Sequence, residues 1–215
     1  NNINVVTNFI DISKYNYHFT DCQRDMMANE NEKIITHISN FRPVKRIDDV
    51  INIFYNIQKE MPAKLMMVGE GPEKEKAEQL CEALGIAEKV IFFGKSHELD
   101  KILCFSDLFL LPSETESFGL AALEAMASGV PVISSNTGGI PEVNKQGVTG
   151  FLSDVGNVEE MAKNAIHILS DETRLKTFKQ NSRVEAAKFD IHNVVPQYEA
   201  IYEQTLKMCL FTQKL

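Results

Sequence analysis

Between Lys33 and Leu152 short apolar runs alternate with helical stripes, and that alternation limits the fold more than any single motif. Ile34 to Ser39, Lys64 to Val68, Val90 to Phe93, Leu108 to Leu111, Val130 to Ser134 and Gly150 to Leu152 have the composition of strands. Between them, Ile47, Val50, Ile51, Phe54 and Ile57 form a 3.6-residue stripe, as do Ala77, Leu80, Cys81 and Leu84. A short helix is expected over His97 to Phe105. Alternating strands and helices bring the strands into parallel pairs through right-handed crossovers. The strands lack a polar face, as expected where helices cover both sides of a sheet. The expected fold is therefore α/β, a Rossmann-like doubly wound parallel sheet. C-terminal helices follow it, marked by Val158, Met161, Ala162, Ala165 and Leu169, by Arg174 to Ala187, and by Val195, Tyr198, Ile201, Tyr202 and Leu206.

Sheets of this kind bind ligands at the carboxyl ends of their strands. Five polar or glycine-rich loops fall on that edge: Asn40 to Arg46, Gly69 to Pro72, Gly94-Lys95, Ser113 to Gly119 and Asn136 to Glu142. The fourth is the most telling. Glu116-Ser-Phe-Gly-Leu-Ala-Ala-Leu-Glu124 runs from a strand into an Ala-rich helix, with Glu116 at or before its start and Glu124 about two turns inside. The amides of Ser117, Phe118, Gly119 and Leu120 are then helix-start donors, suited to an anion and above all to phosphate. Flanking carboxylates would accept from sugar and ribose hydroxyls. Two glutamates at this spacing also occur on ordinary helices, where they favour the N-terminus or face solvent. Lys45 and Arg42, near a helix start that disfavours cations, suit a phosphate as point charge and fork, although surface charges at a helix start would look the same. Gly69 and Gly71 allow a sharp turn and close approach of a ligand, but a plain strand-to-helix turn would use them equally. Gly138-Gly-Ile-Pro-Glu142 carries the same ambiguity, while Asp107 and Glu114 are expected to be structural.

Composition narrows the classes. A net charge of −8 argues against a nucleic-acid surface, which needs clustered Lys and Arg. The four cysteines and five histidines have no metal-type spacing, so no metal and no cofactor are expected. Cys81 and Cys104 fall on apolar helix faces, where a reduced buried thiol is usual. No run reaches membrane-spanning length, and no signal-peptide layout opens the chain, which makes cytoplasmic the default location.

Taken together, the segments resemble the nucleotide-sugar half of retaining GT-B glycosyltransferases of the large class numbered family four. The resemblance rests on Asn8-Phe-Ile-Asp11, Pro43-Val-Lys45, Val68-Gly-Glu-Gly-Pro72, Phe93-Gly94, Ser106-Asp107, Leu111-Pro-Ser113, Glu116 to Pro131, Gly138 to Glu142 and Gly147 to Phe151. It implies a retaining transfer from a UDP-sugar, with Lys45 on the diphosphate, where Arg42 would stand in for the charge of a family arginine that this chain lacks. Glu116 and the Ser117, Phe118, Gly119 and Leu120 segment would hold the sugar and its phosphate. Glu124 would bind ribose, and Lys95 would lie against uracil. The usual Gly-Arg of the family is Ser39-Asn40 here, so the family arginine falls on Asn40. Within the family, Ser39 to Arg46 and Ser117 to Leu120 look most like members that transfer N-acetylglucosamine from UDP-N-acetylglucosamine to L-malate in the bacillithiol pathway.

The same resemblance implies a division into residues 1–31 as an interdomain segment, 32–190 as the nucleotide-sugar domain, and 191–215 as a helix that packs on an N-terminal acceptor domain. That domain would precede residue 1, and the chain alone would bind nucleotide without useful turnover. Two other readings fit the same residues: a non-catalytic nucleotide-sugar-binding module, and half of a UDP-sugar 2-epimerase.

Overall fold

The computed structural model describes residues 3–15, 24–96 and 98–212. Among them, β1 (Lys33–Ile38), β2 (Ala63–Val68), β3 (Val90–Gly94), β4 (Leu108–Leu111), β5 (Val132–Ser135) and β6 (Gly150–Ser153) form one sheet. All pairings are parallel and the order is β3-β2-β1-β4-β5-β6. The expected doubly wound sheet is therefore present. The chain winds outward from β1 to β3, then returns to the other side of β1 with β4. That reversal opens a crevice at the carboxyl ends of β1 and β4, the topological switch point.

Helices α1 (Ile47–Glu60), α2 (Lys74–Ala83), α3 (Leu99–Cys104), α4 (Leu120–Ala127) and α5 (Ile140–Val143) connect the strands. Helices α6 (Val158–Leu169), α7 (Glu172–Ala186) and α8 (Ile191–Thr212) follow β6. The stripe on α1 is fully buried at Val50, Ile51, Phe54 and Ile57, packed with α6 and the β1 and β2 face. Its first turn carries Asp48 and Asp49, which complement the helix dipole. Asn157 and Asp171 cap α6 and α7 through bonds from the Glu160 and Arg174 amides. On the opposite face, α4 and α5 cover β4 and β5 with Ala122, Leu123, Met126 and Ile140.

Three local expectations change. Strand β5 begins at Val132 rather than Val130, because the Val130 amide caps α4 through Ala125 O (2.9 Å) and Pro131 has no N–H. Helix α3 is shorter than expected, and His97 lies outside the described residues, as does Cys22. Cys81 is buried and free, but Cys104 is half-buried and disulfide-bonded instead of a reduced buried thiol.

Asp107 has the expected structural role. Its carboxylate accepts from the Ile34 amide (3.0 Å), Arg24 (2.8 Å) and Lys179 (2.9 Å), joining β1, β4 and α7. Burial would raise this carboxyl, but Lys179 and Arg24 outweigh it and hold the group below its ordinary range. The N-terminal segment also packs on the domain. The Ile10 amide donates to Phe189 O (3.1 Å), the Ile191 amide donates to Ile10 O (2.9 Å), and the Tyr198 hydroxyl donates to Thr7 O (3.2 Å).

Candidate active site

The first wall of the crevice is the loop leaving β1. His37 is fully buried, with Nδ1 2.9 Å from Leu110 O on β4 and Nε2 2.8 Å from Ser39 Oγ. A carbonyl only accepts, so Nδ1 carries the proton and Nε2 accepts from the Ser39 hydroxyl. Ser39 Oγ in turn accepts from the Phe41 amide (3.2 Å). This chain of bonds joins the two strands at the switch point and fixes the bend at Phe41, whose φ of 39° is left-handed. Burial pushes the His37 imidazole down to about 4, with Lys45 adding to that and the Leu110 carbonyl and Glu116 opposing it. It is a neutral strut at neutral pH.

The glycines after β2 explain how closely this loop can sit. A Cβ on Gly69 would lie 1.8 Å from Ser39 O, and one on Gly71 would lie 1.9 Å from Asn40 O. Their small size makes room for the Ser39–Phe41 backbone. Gly69 and Gly71 thus shape the crevice wall from behind, and neither lines the cavity.

The second wall is the loop from β4 to α4. The Glu114 amide donates to Val44 O (2.8 Å), and the Gly139 amide donates to Glu116 O (3.0 Å). A Cβ on Gly138 would sit 1.8 Å from Glu116 O, so the Gly138-Gly139 turn resolves as a backbone clamp on Glu116. The buried Ser113 hydroxyl donates to Glu116 Oε1 (2.9 Å), and Lys45 forms an ion pair with the same oxygen. The Lys45 and Glu116 side chains retain 20% and 13% exposure, enough for both to meet a ligand. Next comes Gly119 in the left-handed region at φ 93°, capping α4 without a side chain and leaving its first amides open to the crevice. Because Ser117 and Phe118 form a bend, α4 starts at Leu120, and Glu124 lies about one turn inside rather than two.

These parts enclose a cleft of about 360 Å³, within the range of small-molecule sites. Lys45, Glu116, Ser117, Phe118, Gly119 and Leu120, all singled out in the sequence, line it together. Asn8, Asn40 and Ser39 line it too. Arg42 and Lys95 are exposed and are not among the lining residues, whereas Asn40, at the position of the family arginine, is. Lys95 follows β3, two strands from β1, which places it roughly 10 Å to the side. Glu124 also lies off this lining. Burial raises its carboxyl, with the Tyr15 side chain partly offsetting that. Sequence reasoning missed His37 and Ser113 as a partner of Glu116. Only Ser113 had a signal, its place beside Leu111-Pro112.

Among the described residues, no group of three or more His, Cys, Asp or Glu is placed to hold a metal ion. None of the described helices is long and apolar enough to cross a membrane.

Comparison with known proteins bears on this geometry. Residues 21–185 match the family model for glycosyl transferases group 1. The chain belongs to that family. It is 44% identical over 207 residues to N-acetyl-alpha-D-glucosaminyl L-malate synthase of Bacillus anthracis, covering 95% of this chain and 54% of that enzyme. It is 33% identical to the 2-deoxystreptamine N-acetyl-D-glucosaminyltransferase of Niallia circulans, covering 69% of this chain and 40% of that protein. The structure of the Anabaena protein HepE in complex with UDP superposes with a TM-score of 0.86 at 25% identity, covering 94% of this chain and 57% of HepE. The sheet is thus the Rossmann-like half of a GT-B fold, and the chain spans about half the length of the relatives it matches.

Proposed function

We propose that this chain forms the donor-binding half of a retaining glycosyltransferase that moves N-acetylglucosamine from UDP-N-acetylglucosamine to L-malate. The observation that carries the reading is the Lys45–Glu116 pair, set before the open first turn of α4 at the sheet's switch point. A UDP-sugar diphosphate supplies the anion that such amides and a lysine would bind. In this reading Lys45 and the Phe118 to Leu120 amides neutralise charge on the departing diphosphate. Glu116, held by Ser113 and the Gly138-Gly139 clamp, accepts from hydroxyls of the transferred sugar. Glu124 binds the ribose, Lys95 lies against the base, and Arg42 adds charge to the phosphates. The chemistry is positioning and charge stabilisation, with a second domain supplying the acceptor site.

The choice of N-acetylglucosamine and L-malate is supported by the name of the Bacillus anthracis relative and by the likeness of Ser39 to Arg46. UDP as the nucleotide is supported by the UDP complex of HepE.

Calorimetric titration with UDP, UDP-N-acetylglucosamine, GDP and ADP tests the reading. UDP and its sugar should bind best, and Lys45→Ala should weaken them by about tenfold or more, the loss of a charge-assisted contact. Equal affinity for all four, or indifference to Lys45→Ala, would refute the donor site. In the full-length protein, release of UDP should require L-malate.

A further inference from the structure

Lys45 ends a short 3-10 turn, Pro43–Lys45, and Arg46 both closes that turn and starts α1. The Arg46 amide donates to Pro43 O (2.9 Å), and its carbonyl accepts from the amides of Asp49 (2.9 Å) and Val50 (3.2 Å). Arg46 joins the two helices in the left-handed region, at φ 50° and ψ 55°. That conformation costs a residue with a Cβ free energy that glycine is spared. Strain of this kind persists only where the surroundings hold it. Here the side chain supplies the hold. Its Nε donates to Asp49 Oδ2 (2.5 Å) while the Asp49 amide donates back to Arg46 O, a reciprocal closure across the first turn of α1. The guanidinium lies against the loop after β6: a Cβ on Gly156 would stand 3.1 Å from Nη2 and 3.7 Å from Cζ. On the other side of Lys45, Val44 O accepts from the Glu114 amide (2.8 Å). Lys45 is thus fixed between an anchor on the Glu116 loop and an anchor on α1, with its ammonium paired to Glu116 in the cleft. A lysine is a point charge on a flexible stem, so where its charge sits depends on how the backbone aims the stem.

We infer that Arg46 is a positioning residue for phosphate binding: its guanidinium, seated on Asp49 and Gly156, holds the left-handed turn that aims Lys45 into the cleft. This rests on the proposed donor-site reading, in which Lys45 meets the diphosphate. Arg46 is not among the lining residues, so it acts on the ligand through Lys45. The loop between β6 and α6, two strands away from Glu116, joins the determinants of nucleotide affinity through this contact.

The test titrates UDP into wild type, Lys45→Ala, Arg46→Gly, Arg46→Lys and the variant carrying both Lys45→Ala and Arg46→Gly, followed by NMR so that weak binding is readable. Glycine takes the left-handed turn without the side chain, so Arg46→Gly should melt within about 5 °C of wild type. Its UDP affinity should fall about fivefold, short of the tenfold or more expected from losing Lys45 itself. Arg46→Lys keeps a cation for Asp49 and should recover most of that loss. In the Lys45→Ala background Arg46→Gly should have no further effect, since a residue acting through Lys45 has nothing left to aim. Equal UDP binding by wild type and Lys45→Ala, or none by wild type, overturns the donor reading and this inference with it. Where Lys45 matters but Arg46→Gly binds UDP as well as wild type or better, the donor reading stands and the role of Arg46 falls. A lysine variant no better than glycine also overturns it, because the ion pair with Asp49 would then hold nothing. A loss of similar size in both backgrounds, or a glycine variant melting below the stated range, would assign Arg46 to the fold and reject positioning.

Discussion

Acidification of wild type beside a His37→Asn variant isolates the buried imidazole at the switch point. An unfolded histidine titrates near 6.5, whereas burial holds this one down to about 4 in the folded chain. Between those values the unfolded state binds a proton that the folded state refuses, so stability falls as pH falls. The contribution is fully present above about 6.5 and is lost progressively toward the folded value. Each tenfold change in proton affinity is worth about 1.4 kcal/mol, so the interval between the two values is worth about 3 kcal/mol. The asparagine amide can still donate to Leu110 O, the partner of Nδ1, but does not titrate. It cannot reach Ser39 as Nε2 does, which makes the variant less stable at neutral pH by about 1–2 kcal/mol. Urea unfolding of both proteins at intervals from about pH 7 to about pH 4 reads the difference, with the carboxylates common to both cancelling. The advantage of wild type should shrink by about 3 kcal/mol and change sign in acid. A direct reading comes from NMR of the imidazole ring. Titration near 6.5 in the folded protein, or a wild-type advantage independent of pH, would refute the assignment of a neutral buried strut.

Gly69→Ala places a Cβ 1.8 Å from Ser39 O at φ 125°, and should cost about 3 kcal/mol and weaken UDP by displacing the cleft wall. Gly85→Ala, also at positive φ but with nothing within 4 Å, should cost only about 1 kcal/mol, so similar melting points would contradict the close-approach argument. Asp107→Asn should destabilise by about 3 kcal/mol near neutral pH, since Arg24 and Lys179 lose their shared carboxylate. Because the Asp107 carboxyl is held low, its contribution is present above about pH 4 and lost as pH falls through the folded value, so the two proteins should converge in acid unfolding. Ser113→Ala removes a donor to Glu116 and should reduce UDP-sugar affinity several-fold with little change in melting temperature; equal loss for UDP alone would speak against Glu116 acting on the sugar.

The α/β class and its helices were legible because they follow from local periodicity: the α1 stripe and the doubly buried strands need only one side to be apolar or both. The edge that carries the site was legible too, since every strand in a parallel sheet points the same way. Which loops meet was not. Only the order β3-β2-β1-β4-β5-β6 sets β1 beside β4 and lets Lys45 reach Glu116, 71 positions away, through long-range pairing that no local pattern encodes. The same order leaves Lys95 to one side. Glycine roles were also undecidable locally, because Gly69 and Gly138 answer to backbone carbonyls from distant segments. Likewise the apolar run of β1 gave no sign that His37 inside it would span two strands. Periodicity and loop chemistry are written in neighbouring residues; ion pairs, close backbone approaches and buried polar struts arise only when chain-distant surfaces exclude water together.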